Sequence, residues 1–146
     1  MIVIDYPDPA FQIKNTGGKD LIFDSLRKRW LVLTPEEWVR QNIVQYLIRV
    51  KHYPSALIAM EKMIKLGDLK KRFDILVYDN SHSPWMMIEC KEPGVRLDDN
   101  VLHQVLCYHI SVAAGYLIIT NGSTTYGWEK QGNDLKLMQE FPEWQR

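Results

Sequence analysis

Arg72-Phe73-Asp74-Ile75-Leu76-Val77-Tyr78-Asp79, followed after Asn80-Ser81-His82-Ser83-Pro84 by Trp85-Met86-Met87-Ile88-Glu89-Cys90-Lys91, is the stretch from which the fold is read. Both runs are rich in β-branched and aromatic residues, and the polar break between them is turn chemistry, so an antiparallel hairpin is expected. With residues 80–83 as the loop, Asp79 pairs with Pro84, and counting back sets Asp74 opposite Glu89. Side chains alternate along a strand, which puts Lys91 on the face of Glu89. Two carboxylates and an ammonium then converge on one patch of sheet, and a slip of one residue would part them.

Two readings of that patch are open. Asp74 and Glu89 can be strand-end charges, paired in water with Arg72 and Lys91, and Glu-x-Lys is short enough to arise by chance. Against this, both strands are apolar on both faces, with Ile75, Val77, Met86 and Ile88 on one and Leu76, Tyr78, Trp85 and Met87 on the other. Strands of that kind sit in the middle of sheets. Ionised groups there are costly unless they are paired or hold a metal, which makes the patch a candidate metal site.

At 146 residues, 46% hydrophobic and 25% charged, the chain has the composition of one soluble globular domain with a real core. No apolar run approaches a membrane span, and the start, Met1-Ile2-Val3-Ile4-Asp5, lacks the regions of a signal peptide, so a cytoplasmic protein without a membrane partner is expected. Cys90 and Cys107 lack the spacing of a zinc knuckle or disulfide framework and read as small core residues. The formal net charge is zero, so any nucleic-acid contact must be local. Arg27-Lys28-Arg29 and Lys70-Lys71-Arg72 are candidates for phosphate contacts, or for a solvated surface. Trp85, Trp128 and Trp144 are core residues or stack on bases, and His52, His82, His103 and His109 show no zinc or triad spacing.

Residues 1–33 read as an irregular arm, broken by Pro7, Pro9, Gly17 and Gly18, with short strands at 21–23 and 30–33. Thr34-Pro35-Glu36-Glu37 opens a helix with Thr34 as N-cap and Glu37 at the capping-box position, and Val39, Ile43, Leu47 and Val50 form its buried face. Residues 57–66 contain helix formers, but their place before a hairpin and the Gly67-Asp68 turn after them predict a strand. Asp98-Asp99 caps a second helix running to residue 113, which buries Val101, Leu102, Val105, Leu106 and Ile110. Strands follow at 116–120, 124–129 and 135–138, turned at Asn121-Gly122 and at Gln131-Gly132-Asn133-Asp134. The order α-β-β-β-α-β with trailing strands predicts an α/β (α+β) fold, a mixed central sheet flanked by helices. It forms a single domain with the arm at 1–33, the core at 34–130 and a C-terminal strand and tail at 131–146.

Thr34-Pro35-Glu36-Glu37-Trp38-Val39-Arg40, Arg72-Phe73-Asp74-Ile75, Glu89-Cys90-Lys91, Gln104 with Tyr108, and Thr120-Asn121-Gly122 stand in an order and spacing that resemble the PD-(D/E)XK nuclease superfamily. Within it, the chain is similar to the N-terminal nuclease domain of type I restriction enzyme R subunits. The superfamily's proline-aspartate pair stands here as Phe73-Asp74. The resemblance implies a restriction-endonuclease-like core that cleaves DNA, as a homodimer or within a larger restriction or repair assembly, although 146 residues leave no room for that subunit's motor. It implies Asp74 and Glu89 as metal ligands, Lys91 as the catalytic lysine, Glu37 as the accessory helix carboxylate and Gln104 as the helix glutamine beside the site.

Side-chain chemistry agrees with these roles. Asp74, Glu89 and a strand carbonyl, that of Cys90, are hard oxygen donors suited to Mg²⁺, with Mn²⁺ able to substitute. Lys91 would ease formation of hydroxide or hold the scissile phosphate as a point charge. Glu37 would orient water or bind the metal through one, or serve only as a cap, with Glu36 in its place if the helix phase shifts by one. Gln104 and Tyr108, one turn apart, face a phosphate, a base or solvent. The rival is a nuclease-like fold without turnover that binds nucleic acid or a protein partner, which the neutral net charge suits.

Overall fold

The computed structural model describes residues 1–144, so Gln145 and Arg146 of the expected tail lie outside the described residues. The arm is more regular than its breakers suggest. β1 (Ile13–Thr16), β2 (Lys19–Asp24) and β3 (Arg29–Val32) form an antiparallel meander. β1 has no apolar alternation to betray it, all four residues being exposed. Gly17 and Gly18, at φ 63° and 81°, form the two-residue turn that closes it onto β2, because a turn of that hand needs positive φ at both positions.

α1 (Pro35–Arg49) starts as expected, with Thr34 Oγ1 accepting from Glu37 N–H at 3.0 Å. The Glu37 carboxylate does not complete the capping box, since Thr34 N–H donates to Val32 O and the carboxylate takes two arginines instead. Val39, Ile43 and Leu47 are buried; Val50, expected among them, is the C-cap and stands 43% exposed. After a 3₁₀ turn (Ser55–Leu57) come β4 (Ile58–Leu66), β5 (Leu69–Tyr78) and β6 (Pro84–Cys90), then α2 (Asp99–His109), β7 (Tyr116–Thr120), β8 (Thr125–Gln131) and β9 (Asp134–Leu137). The six strands β4 to β9 lie side by side in chain order. All their pairings are antiparallel except β6 with β7, which α2 connects as a parallel crossover. The fold is thus the expected α-β-β-β-α-β core with a mixed sheet.

Helices cover both faces. Val39, Ile43, Val44 and Leu47 of α1 pack on Ile75, Val77, Met86, Ile88 and Ile118. The alternate residues Leu76, Met87 and Leu117 face the other way, with Leu106 of α2, and Val105 joins Ile119 beside them. That double burial accounts for the near-continuous apolar runs of β5, β6 and β7. α2 ends at His109, short of residue 113, and Ile110 is 58% exposed. Its apolar stripe runs Val101, Val105, His109, so the histidine takes the buried position assigned to Ile110. At the β5–β6 turn, Tyr78 rather than Asp79 pairs with Pro84, and a bulge at Val77/Tyr78 restores the expected register further along. Asp79 belongs to the loop and caps it, its Oδ1 accepting from Ser81 N–H and Ser83 N–H.

Candidate active site

β5 and β6 pair from Ile75↔Ile88 onward, and Asp74 and Glu89 stand one step beyond that ladder, near enough for the Glu89 charge to act on the Asp74 carboxyl. Asp74 Oδ2 accepts from Cys90 N–H at 2.8 Å and Oδ1 from Arg40 Nη1 at 3.2 Å. Burial, and then repulsion from Glu89, pushes the Asp74 carboxyl from its ordinary 3.8 up to about 7, against the Cys90 N–H and the Arg40 guanidinium. Lys91 Nζ stands 3.7 Å from Glu89 Oε1. His109 Nε2 lies 3.4 Å from Glu89 Oε2, on the other side of that carboxylate.

Glu37 is brought near but not into contact with the β5–β6 pair. It is buried and gives Oε1 to Arg27 Nη2 at 2.7 Å and Oε2 to Arg40 Nε at 3.0 Å, so the Arg40 guanidinium lies between it and Asp74. Glu36, half exposed, also pairs with Arg40. Arg27 does not face solvent for phosphate contact as its basic run suggested: it is fixed by Asp24, Glu37 and Glu61. Glu61 has φ 50°, a left-handed kink in β4 directly beside Asp74, and its carboxylate collects Arg27, Arg40 and Arg72. Asp24, in turn, accepts from Leu26 N–H, Arg27 N–H and Gln41 Nε2, which locks the arm to α1.

Beside Glu89 a cavity of about 390 Å³ opens toward α2, lined by Lys91, Gln104, Val105, Tyr108 and His109. Gln104 and Tyr108 therefore share one wall with the Glu-x-Lys segment. Its neighbouring loop is tied by Asn121, whose Nδ2 donates to Val95 O while Oδ1 accepts from Ser123 and Thr124 N–H groups. The Asn121-Gly122 turn is thus structural.

The residues present suit a hard divalent cation. Among the described residues no three His, Cys, Asp or Glu side chains converge as a closed metal cage. Mg²⁺ does not need one, as it takes one or two carboxylates and keeps water and substrate oxygens for the rest. Asp74 and Glu89 would supply the two carboxylates. Cys90 has its thiol buried in the core under α1, pushed well up by burial, so it can contribute only its carbonyl. That carbonyl lies on the same edge of β6 as the N–H that meets Asp74. With histidine counted neutral and Asp74 counted in its ionised form, six carboxylates (Asp24, Glu36, Glu37, Glu61, Asp74, Glu89) face four cations (Arg27, Arg40, Arg72, Lys91) in the ion-pair network among the described residues. The surplus of two negative charges is what one divalent cation neutralises.

Arg40 and His109 are residues of this site to which motif reading gave no role, while Arg27, read as a phosphate contact, serves the ion-pair network instead. Arg40 was legible only as an i, i+3 and i, i+4 partner of Glu37 and Glu36, while its reach to Asp74 is tertiary. His109 left a signal, a polar residue on an apolar helix stripe. The tryptophans serve the core: Trp85 packs edge-on against Tyr53, Tyr116 and Trp144, and Trp128 stacks on Tyr126. Cys107, expected inside, is exposed.

Comparison with known proteins places this arrangement in context. Among curated proteins none matches. A solved structure from Anabaena variabilis, provisionally described as a nuclease belonging to DUF820, is 13% identical, with 94% of this chain and 80% of that chain covered and a TM-score of 0.49. The family described as type I restriction enzyme R protein N terminus matches residues 35–142, from the first residue of α1 to the segment beyond β9. That match spans the helix of Glu37 and Arg40, the β5–β6 hairpin and α2, and by it the chain belongs to the family of type I restriction enzyme R protein N-termini, a nuclease-type domain.

Proposed function

We propose that the domain is a Mg²⁺-dependent nuclease that hydrolyses phosphodiester bonds of DNA, with Asp74, Glu89 and the Cys90 carbonyl as the metal-holding set. The observation that carries this reading is the closeness of the Asp74 and Glu89 carboxylates at the end of the β5–β6 ladder, with Lys91 3.7 Å from Glu89. A divalent cation bound there supplies charge neutralisation at the phosphate and a water of lowered pKa.

Each remaining role falls to a named side chain. Lys91, one-third exposed at the cavity mouth, offers three donors to a phosphate oxygen and a positive charge beside the attacking water. Arg40 keeps the Asp74 carboxylate oriented and partly neutralised. Glu37 acts through Arg40 rather than as a ligand, because both its oxygens are already held by arginines. Gln104 donates or accepts at the cavity wall, where the substrate backbone would pass. No helix is long and apolar enough to cross a membrane among the described residues.

The test is cleavage of linear DNA with Mg²⁺ or Mn²⁺ by wild type, Asp74→Ala and Lys91→Ala, each checked for folding. Both variants should lose at least about 100-fold in rate, the range expected when a group acting on the developing charge is removed. Activity that survives in both would remove these residues from catalysis.

A further inference from the structure

β4 and β5 pair as far as Leu66↔Leu69, whereas β5 pairs with β6 only from Ile75 onward. Residues 62–73 therefore project past the six-stranded sheet as a two-stranded ribbon. Ile64, Leu66 and Phe73 pack one side of it into the core under α2. Lys71 fastens the ribbon to the end of that helix, donating to Tyr108 O with its ammonium 4.7 Å above the Tyr108 ring.

The other side is open and basic. Met63↔Arg72 and Lys65↔Lys70 are directly opposed there, with Met63 54% and the Arg72 side chain 62% exposed. Like charges facing each other across a ladder destabilise it. The sheet nonetheless places Lys65 against Lys70, in a chain whose net charge is zero, and neither lysine has an ion-pair or hydrogen-bond partner among the described residues. An anion lying across the two lysines would relieve that repulsion.

The basic face leads to the candidate site. Lys70, Arg72 and Asp74 are alternate residues of β5, and Arg72 Nη2 meets Glu61 Oε2 at 3.1 Å, the carboxylate that also takes Arg40 from beside Asp74. At about 3.3 Å per residue, Lys70 lies roughly 13 Å from Asp74 along the strand. We infer that this open face, Met63, Lys65, Lys70 and Arg72, is a contact surface for the phosphate backbone of duplex DNA, which it holds as the duplex runs into the Asp74–Glu89 site. A two-stranded ribbon is an element that the major groove of a duplex admits, and separated basic residues along it match a repeating anion rather than a single one. The inference rests on the phosphodiester reading of the site and names how its substrate is held.

The experiment is fluorescence anisotropy of a short labelled DNA duplex with the full chain in EDTA, across about 50–200 mM KCl. Wild type is compared with Lys65→Ala/Lys70→Ala and with Lys65→Glu, which places a carboxylate opposite Lys70 and so favours the fold while reversing the charge. Both ribbon variants should keep or raise the melting temperature and bind more weakly. The double alanine variant should lose about 2 from the slope of log K against log salt, at about 0.9 per phosphate contact. Unchanged affinity and slope in both variants overturns the inference, as does a wild type that binds no duplex or prefers phosphatidylserine vesicles. Cleavage is scored separately. If wild type cleaves, Asp74→Ala does not, and the ribbon variants bind normally, the ribbon falls and the nuclease reading stands. Ribbon-dependent binding by a wild type that never cleaves gives the reverse.

Discussion

Arg40 Nη1 lies 3.2 Å from Asp74 Oδ1, so the candidate ligand on β5 is held from the helix that also carries Glu36 and Glu37. The guanidinium is nearly buried and serves four carboxylates, those of Glu36, Glu37, Glu61 and Asp74. Its own pKa is raised by Glu37 and Asp74, although burial acts in the opposite sense as the largest single influence. Arg40→Met therefore leaves several carboxylates short of their cation, and should destabilise the fold by about 3–5 kcal/mol. Arg40→Lys should recover only part of this, because an ammonium cannot fork between Glu37 and Asp74. Urea midpoints at unchanged slope measure both, and a loss below about 1 kcal/mol in Arg40→Met would show that the network contributes little.

The Asp74 carboxyl sets a pH dependence. Its folded value is about 7 against an ordinary 3.8, so the folded chain binds its proton more tightly than the unfolded one. Stability of the metal-free protein should then fall as pH rises through that window, the reverse of an ion-paired aspartate. Asp74→Asn should flatten the dependence and be more stable than wild type above about pH 7. Mg²⁺ should restore stability to wild type at about pH 8 and do so weakly at about pH 5, where the proton competes. Denaturation in EDTA and in Mg²⁺ at the two pH values checks each part; a wild type that gains stability with rising pH contradicts the assignment.

His109 is positioned to steady Glu89. It is 2% exposed, its ring lies 5.0 Å from that of Phe73, and Nδ1 has no hydrogen-bond partner among the described residues while Nε2 faces Glu89. His109→Phe keeps the apolar packing and removes the contact, and should weaken Mn²⁺ binding by about 10–100-fold, the range seen when the partner of a metal ligand is lost. His109→Gln, which can still donate to the carboxylate, should recover part of the affinity. Equal affinity in all three proteins would make His109 a packing residue only.

The strand pair was legible because its register follows from parity and from apolar burial on both faces, and the bulge at Val77/Tyr78 absorbed the one-residue difference at the turn. The helix starts were legible from Thr34 and Asp98, whose side chains do cap α1 and α2. Helix ends were not, since Val50 and Ile110 continue an apolar pattern past the point where the backbone leaves the helix. β1 hid because an exposed edge strand needs no apolar face. The closeness of Asp74 and Glu89 follows from local counting, whereas Arg27 reaching Glu37 and Glu61, and Arg40 reaching Asp74, are set by how the arm and α1 dock on the sheet. No motif spacing encodes such contacts.

Calorimetric titration of Mn²⁺ and Mg²⁺ into wild type and into Asp74→Asn/Glu89→Gln, at about pH 8 where Asp74 is ionised, tests the metal-holding site most directly. The account predicts a saturable heat in wild type that is absent from the double variant, whose amides keep the shape of the site and remove both charges. Equal heats in the two proteins, or none in either, would contradict it.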